Sequence, residues 1–251
     1  MSYVTTRHGA MFYLTVGCGR PLVLLHGNTM TAHSQERLAQ RFADAYEVFS
    51  IDLLGHGHSA MPEDLFTMDY FTLQGQALAD TLETLFPEDT VPVLGMSAGG
   101  IAALNAYCEQ PCHIAALILD GVFTHVGPET LAAHRARRAS ITPAWERYMV
   151  AQHGAERWPR LRDGLLAVMS QLEADGRNVI PCLEHIRVPV LIFQGGRDPF
   201  CPARQCRTVA DAIPRAQLIY RDEAGHILAW EDPAFFHETV YKFLQEELGA
   251  G

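Results

Sequence analysis

The stretch Leu94-Gly95-Met96-Ser97-Ala98-Gly99-Gly100 is where the architecture is decided. It follows an apolar run, 91–94, and precedes a helix-like segment, 101–109. Gly-x-Ser-x-Gly between a strand and a helix has a mechanical reading: the chain turns so sharply at the serine that its backbone is strained. The residues two before and two after must lack side chains, because strand and helix would otherwise collide there. The hydroxyl is lifted clear of the sheet above a helix N-terminus, whose dipole favours developing negative charge. An ordinary Gly/Ser-rich turn can hold the same five residues, so the surroundings must decide.

Upstream, 3–7 and 11–16 alternate apolar and polar residues around His8-Gly9, which predicts an antiparallel hairpin at a sheet edge. The continuous apolar run 21–25 predicts a strand buried on both faces, ending in His26-Gly27-Asn28-Thr29. A helix over 33–44, a strand over 47–51 ending in Asp52, the loop Asp52-Leu-Leu-Gly-His-Gly-His-Ser59 and a helix over 71–86 lead to the serine turn. Downstream lies a strand over 115–119, ending in Asp120-Gly121. Strands alternating with helices predict an α/β fold: a mostly parallel central sheet with helices on both faces.

The alternation breaks at residue 122. From there to 187 only helix-like stretches occur, 129–140, 144–153 and 157–174, with Pro128, Pro143 and Pro159 near their starts. The expected division is therefore a core of 1–121 and 188–251 with a helical cap of 122–187. The sheet resumes at 188–193, ending in Gln194-Gly-Gly-Arg-Asp198-Pro199. A helix over 202–213, a strand over 217–220, Gly225-His226 and a last helix over 233–248 follow.

Composition bounds the function. Apolar residues make up 48% and charged residues 19% of 251, enough for a large core and against disorder. A formal net charge of -10 argues against nucleic acid and anionic membranes as partners. The first residues carry no basic segment followed by an apolar one, and no apolar run approaches the ~20 residues that span a bilayer. A soluble, cytoplasmic protein is expected. The six cysteines, at 18, 108, 112, 182, 201 and 206, have no metal-site spacing and are expected to be reduced thiols.

Three groups that can act together, Ser97, Asp198 and His226, each follow a predicted strand. In a parallel sheet all three then sit at its carboxyl end, where such sheets bind ligands. Serine needs a base to take its proton, imidazole is suited to that at neutral pH, and a carboxylate can hold the ring in the accepting tautomer. Taken singly each is unremarkable: the aspartate can be a turn former and the histidine a loop residue. Their order and placement together carry the reading. Asp120 also ends a strand and is the alternative acid.

Along nearly its whole length the sequence resembles the α/β-hydrolase fold family. The matching pieces are His26-Gly27-Asn28, the loop 52–59, Gly95-Met-Ser97-Ala-Gly99, Gly196-Arg-Asp198 and Gly225-His226. The resemblance implies serine hydrolase chemistry without cofactor or metal, a helical cap, and an oxyanion hole formed by the backbone N–H groups of Asn28 and Ala98. It implies that His26 and Asp52 shape the site without moving protons. The segment 181–202 is similar to a valacyclovirase-like branch of small ester hydrolases. That branch carries an acidic residue beside its nucleophile to hold an amino group, and Ala98 stands there instead. The ending 225–231 resembles hydrolases that cleave carbon–carbon bonds, whose longer oxyanion loop is replaced here by Asn-Thr-Met-Thr.

The expected substrate is a small, mostly apolar carboxylic ester, lactone or thioester. Thr29, Met96, Trp145, Met149 and Ile227 are expected to line its pocket, with Trp230 read as a packing aromatic. Between residues 130 and 162, seven arginines (135, 137, 138, 147, 157, 160 and 162) face two glutamates, 146 and 156. A solvated helix face accounts for such a run; the alternative is attraction of an anionic substrate or of an acyl group on a phosphopantetheine carrier. A carbon–carbon hydrolase, a non-hydrolytic acid–base enzyme and a ligand receptor on the same fold remain as alternatives.

Overall fold

The computed structural model describes residues 2–249, so positions 1, 250 and 251 of the expected core range lie outside it. Among the described residues the eight strands are β1 (Ser2–Thr6), β2 (Gly9–Gly17), β3 (Arg20–Leu25), β4 (Tyr46–Ile51), β5 (Val91–Met96), β6 (Ile114–Asp120), β7 (Val190–Gly195) and β8 (Ala216–Arg221). They form one sheet in the order β1-β2-β4-β3-β5-β6-β7-β8. The β1–β2 hairpin joins β4 antiparallel, and every pairing from β4 across to β8 is parallel. The chain crosses from β4 on one side of β3 to β5 on the other. This reversal opens a crevice at the carboxyl ends of β3 and β5, the place where sheets of this kind take ligands.

The helices are α1 (Glu36–Phe42), α2 (Tyr70–Leu85), α3 (Ala98–Glu109), α4 (Pro128–Ala139), α5 (Pro143–His153), α6 (Arg157–Asp175), α7 (Ala203–Ala212), α8 (Leu228–Glu231) and α9 (Pro233–Leu248). Alternation along the strands assigns them to faces. Leu22, Leu24, Leu94 and Ile118 pack with Leu38 and Phe42 of α1 and Phe236 and Val240 of α9. Val23, Leu25, Val93 and Leu117 point the other way, into a cluster with Leu78 of α2 and Ile101 and Leu104 of α3. Strands β5 and β7 are buried along their whole length, as unbroken apolar runs require.

The helices between β6 and β7 have no separate apolar core among the described residues. Leu131, Met149, Trp158, Leu161 and Met169 belong to the same cluster as α2 and α3. No described helix is long and apolar enough to cross a membrane.

Two expectations are corrected. The helix read over 33–44 begins as a 3-10 turn, Ala32–Gln35, and becomes α-helical only at Glu36. Not all cysteines are reduced: Cys108 and Cys182 form a disulfide with their Cα atoms 5.7 Å apart. The fold brings the end of α3 against the segment leading into β7, a proximity invisible across a sequence separation of 74. Cys18 and Cys112 are exposed free thiols, while Cys201 and Cys206 are buried. The expectation that all six cysteines are reduced thiols therefore fails for Cys108 and Cys182.

Candidate active site

Ser97 stands between β5 and α3 with φ +51° and ψ -119°, a backbone that side-chain-bearing residues rarely adopt. It is pinned there by its own N–H, which donates to the Asp120 carbonyl of the neighbouring strand (2.8 Å). The flanking glycines are required by space. A Cβ on Gly95 would come within 2.5 Å of the Gly99 and Gly100 backbone, and one on Gly99 within 2.6 Å of the Leu25 and His26 carbonyl oxygens.

The loop after β8 presents His226 with Nε2 3.0 Å from Ser97 Oγ. On the other side of the ring, Nδ1 lies 2.7 Å from Asp198 Oδ2. The Asp198 side chain is fully buried, and its second oxygen accepts from the N–H groups of Phe200 (2.8 Å) and Cys201 (3.0 Å). An imidazole that donates from Nδ1 to a carboxylate leaves Nε2 free to accept the serine proton.

Asp120 does not touch the ring. It is fully buried and accepts from the N–H groups of Leu228 (3.2 Å) and Ala229 (2.9 Å). Burial pushes its carboxyl up to about 7, against the opposing pull of those two donors. Its structural effect is to tie α8, two residues beyond His226, to the end of β6.

The loop after β3 lies against the serine: a Cβ on Gly27 would sit 3.2 Å from Ser97 Cβ. Its Asn28 side-chain oxygen accepts from Tyr70 O–H (3.1 Å), while the Asn28 backbone N–H has no partner among the described residues. Ala98 opens α3, and N–H groups in a first helical turn have no partner within the helix. Behind this loop, His26 Nδ1 donates to the Gly27 carbonyl (2.8 Å) and Nε2 accepts from Leu53 N–H (3.0 Å). Asp52 accepts from Ala32 N–H (2.6 Å) and His58 N–H (2.8 Å). Both side chains are sealed inside, tying loops together.

A cavity of about 320 Å³ opens over Ser97 and His226. Thr29, Met96, Trp145 and Ile227 line it, as expected. Met149 does not: it is fully buried in the apolar cluster, because the cavity reaches only the first turn of α5. Trp230, read as a packing aromatic, instead lines the cavity and is 41% exposed. The sequence reading also missed Ile141, Leu165 and Phe200, whose ring lies 4.8 Å from that of His226. Phe200 sits two residues after Asp198 and could have been found from that spacing alone.

Of the seven arginines, Arg137, Arg138 and Arg162 reach the cavity. Arg138 pairs with Asp163 (3.1 Å), and Arg162 with Glu146 and Asp163 (both 2.9 Å). Arg137 has no carboxylate partner among the described residues; its guanidinium stands over the Trp145 ring, 4.6 Å from the centroid. Arg157 turns away from the cavity and donates to the Ser59 carbonyl.

A parallel sheet that presents a strained serine, an imidazole and a carboxylate from three of its strand ends defines a class, and the chain belongs to the alpha/beta hydrolase family, whose model matches residues 22–239. Among individual proteins, it is 28% identical over 243 residues to the pimeloyl-[acyl-carrier protein] methyl ester esterase of Chromobacterium violaceum, covering 86% of this chain and 91% of that one. It is 27% identical over 262 residues to 3-oxoadipate enol-lactonase 2 of Acinetobacter baylyi, covering 94% of each. A serine hydrolase involved in carbazole degradation, the CarC enzyme, shares the fold with a TM-score of 0.79 at 22% identity, over 97% of this chain and 98% of that one.

Proposed function

We propose that this hydrolase cleaves a carboxylic ester, lactone or thioester of a small, mostly apolar acyl compound through an acyl-enzyme on Ser97. The observation that carries this is the unbroken relay from Ser97 Oγ to His226 (3.0 Å) and from His226 to Asp198 (2.7 Å). Ser97 Oγ attacks the carbonyl carbon as His226 takes its proton. The tetrahedral oxyanion is met by the N–H groups of Asn28 and Ala98, and each such donor is worth ~3 kcal/mol in the transition state. His226 then gives the proton to the departing alkoxide or thiolate. Water, deprotonated by the same ring, attacks the acyl-enzyme, and the acid leaves as the proton returns to Ser97.

In this reading 122–187 acts as a cap over the core, and its lining gives the cavity its apolar character. Arg137 is the cation left for a negative group on the substrate, either a carboxylate on the acyl chain or the phosphate of a carrier. The two relatives, named for an acyl-carrier-protein methyl ester and an enol-lactone as substrates, are in keeping with this class. The test is a fluorophosphonate probe followed by mass mapping, with p-nitrophenyl acetate turnover measured alongside. A mass increment on the Ser97 peptide, hydrolysis, and loss of both in Ser97→Ala are expected. Hydrolysis that survives in Ser97→Ala would remove the acyl-enzyme, and labelling without turnover on any ester, lactone or thioester would remove the esterase.

A further inference from the structure

The turn that carries Asn28 has an awkward backbone. The Gly27 carbonyl accepts from Met30 N–H (3.2 Å), placing Asn28 and Thr29 at the centre of a tight turn. Thr29 has φ +69°. A β-branched residue in that region is a genuine outlier, and it persists only where the surroundings hold it from several sides.

Two buried imidazoles do the holding, one on each side of Thr29. His56 Nε2 accepts from Thr29 N–H (3.2 Å), and its Nδ1 donates to the Leu54 carbonyl (3.0 Å). His153 Nε2 donates to the Thr29 carbonyl (2.9 Å), and its Nδ1 accepts from Gly57 N–H (2.9 Å). Because a carbonyl only accepts and an amide N–H only donates, His153 is fixed as the neutral Nε2–H tautomer with both nitrogens used. Burial lowers its pKa to about 4, consistent with a ring that stays neutral at neutral pH.

His153 does not come from the sheet. It is the last residue of α5, only 5% exposed, with its ring stacked on Trp158 of α6 (5.7 Å). Its neighbour Gln152 accepts from Thr31 O–H (2.9 Å). The final turn of α5 therefore grips the loop after β3 at two residues, one on either side of Met30. None of these groups takes part in the proton transfers described above.

We propose that His153 is a positioning residue: by holding the Thr29 carbonyl it keeps the Asn28 N–H aimed at the reacting oxygen, so the oxyanion hole is complete only while α5 is seated. This rests on the Ser97 reading. It makes a helix from the 122–187 segment part of the catalytic geometry, although it contributes no atom that meets the substrate.

The test compares His153→Phe, which keeps a stacking ring without hydrogen bonds, with His153→Gln, which retains an N–H donor for Thr29. Steady-state hydrolysis of p-nitrophenyl acetate is measured with inhibition by an alkyl trifluoromethyl ketone, whose serine adduct places an oxyanion in the hole. His153→Phe is expected to lower kcat by about 10- to 100-fold with KM within about twofold. Its inhibition constant for the ketone should rise by the same factor as kcat/KM falls. His153→Gln should recover most of both, and Gln152→Ala should show a smaller loss of the same kind. Should His153→Phe not fold, His153→Gln and Gln152→Ala carry the comparison through the same parallel between ketone binding and kcat/KM. Unchanged kcat in a folded His153→Phe, or a fall in kcat with ketone inhibition unaltered, would overturn the proposal. If wild-type protein is not modified at Ser97, the underlying reading fails instead.

Discussion

Asp120 ends β6 and Asp198 lies in the loop just after β7, at the same edge of one sheet, yet they face different partners. The sequence made both visible as acids near strand ends, because each follows an apolar run, Asp120 directly and Asp198 after a short turn. The Gly-Gly-Arg-Asp-Pro pattern favoured Asp198, through the resemblance. The strand pattern alone left Asp120 as the alternative, since the outcome depends on how the two following loops run. The loop after β7 folds Asp198 onto the His226 ring, while the turn after β6 directs Asp120 to the N–H groups of α8. Asp198→Asn should lower kcat by about 10³–10⁴ while leaving the fold intact, because an amide no longer enforces the tautomer. Asp120→Asn should instead lower the thermal midpoint, with kcat within about tenfold of wild type. The variant also isolates one titration. With its folded pKa raised to about 7 from 3.8, Asp120 binds more protons in the folded than in the unfolded state between those values. Its contribution to stability therefore declines as pH rises from 4 to 7. The stability difference between wild type and Asp120→Asn, measured by urea unfolding across that range, should shrink in the same direction. A difference that grows with pH would contradict the assignment.

At the scale of elements, the helices between β6 and β7 were legible as helices, and their bounds fall within a residue or two of those read from proline positions and apolar spacing. What each face meets was not legible. Trp145 and Met149 are one turn apart on α5 and share a stripe, yet one lines the cavity and the other fills the core. Periodicity gives the stripe; only the crossing of α5 over its neighbours says where the stripe leaves the cavity. The arginine run is resolved in the same way. Local carboxylates neutralise Arg138 and Arg162, Arg157 is turned inward, and Arg137 is held by an aromatic face instead of an acid. Arg137→Ala is expected to lower kcat/KM about three- to tenfold for an ester bearing a distal carboxylate, an effect that added salt should mimic. The neutral ester of equal length should change by less than about twofold. Equal losses on both would return Arg137 to the status of a surface residue.

At the scale of the whole molecule, the parallel sheet and its paired helix layers follow from the alternation of strand and helix patterns, and the serine turn fixes where the crevice lies. The disulfide does not follow from any local pattern, because Cys108 and Cys182 meet only once α3 and the segment before β7 are both in place. Closing a loop of 74 positions is worth roughly 4 kcal/mol by the chain-entropy account. Reduction, or Cys108→Ser, should therefore lower the unfolding midpoint markedly while kcat at 25 °C stays near that of the oxidised protein. A midpoint unmoved by reduction would show that the bridge is unimportant to stability. The apolar cluster that runs without a break from β3 and β5 through α2 and α3 into α5 and α6 has a consequence for engineering. Grafting 122–187 from a relative, as is done to transplant specificity between enzymes, would strip the scaffold of part of its own interior. A successful chimera would have to import the matching surfaces of α2 and α3 together with the insert.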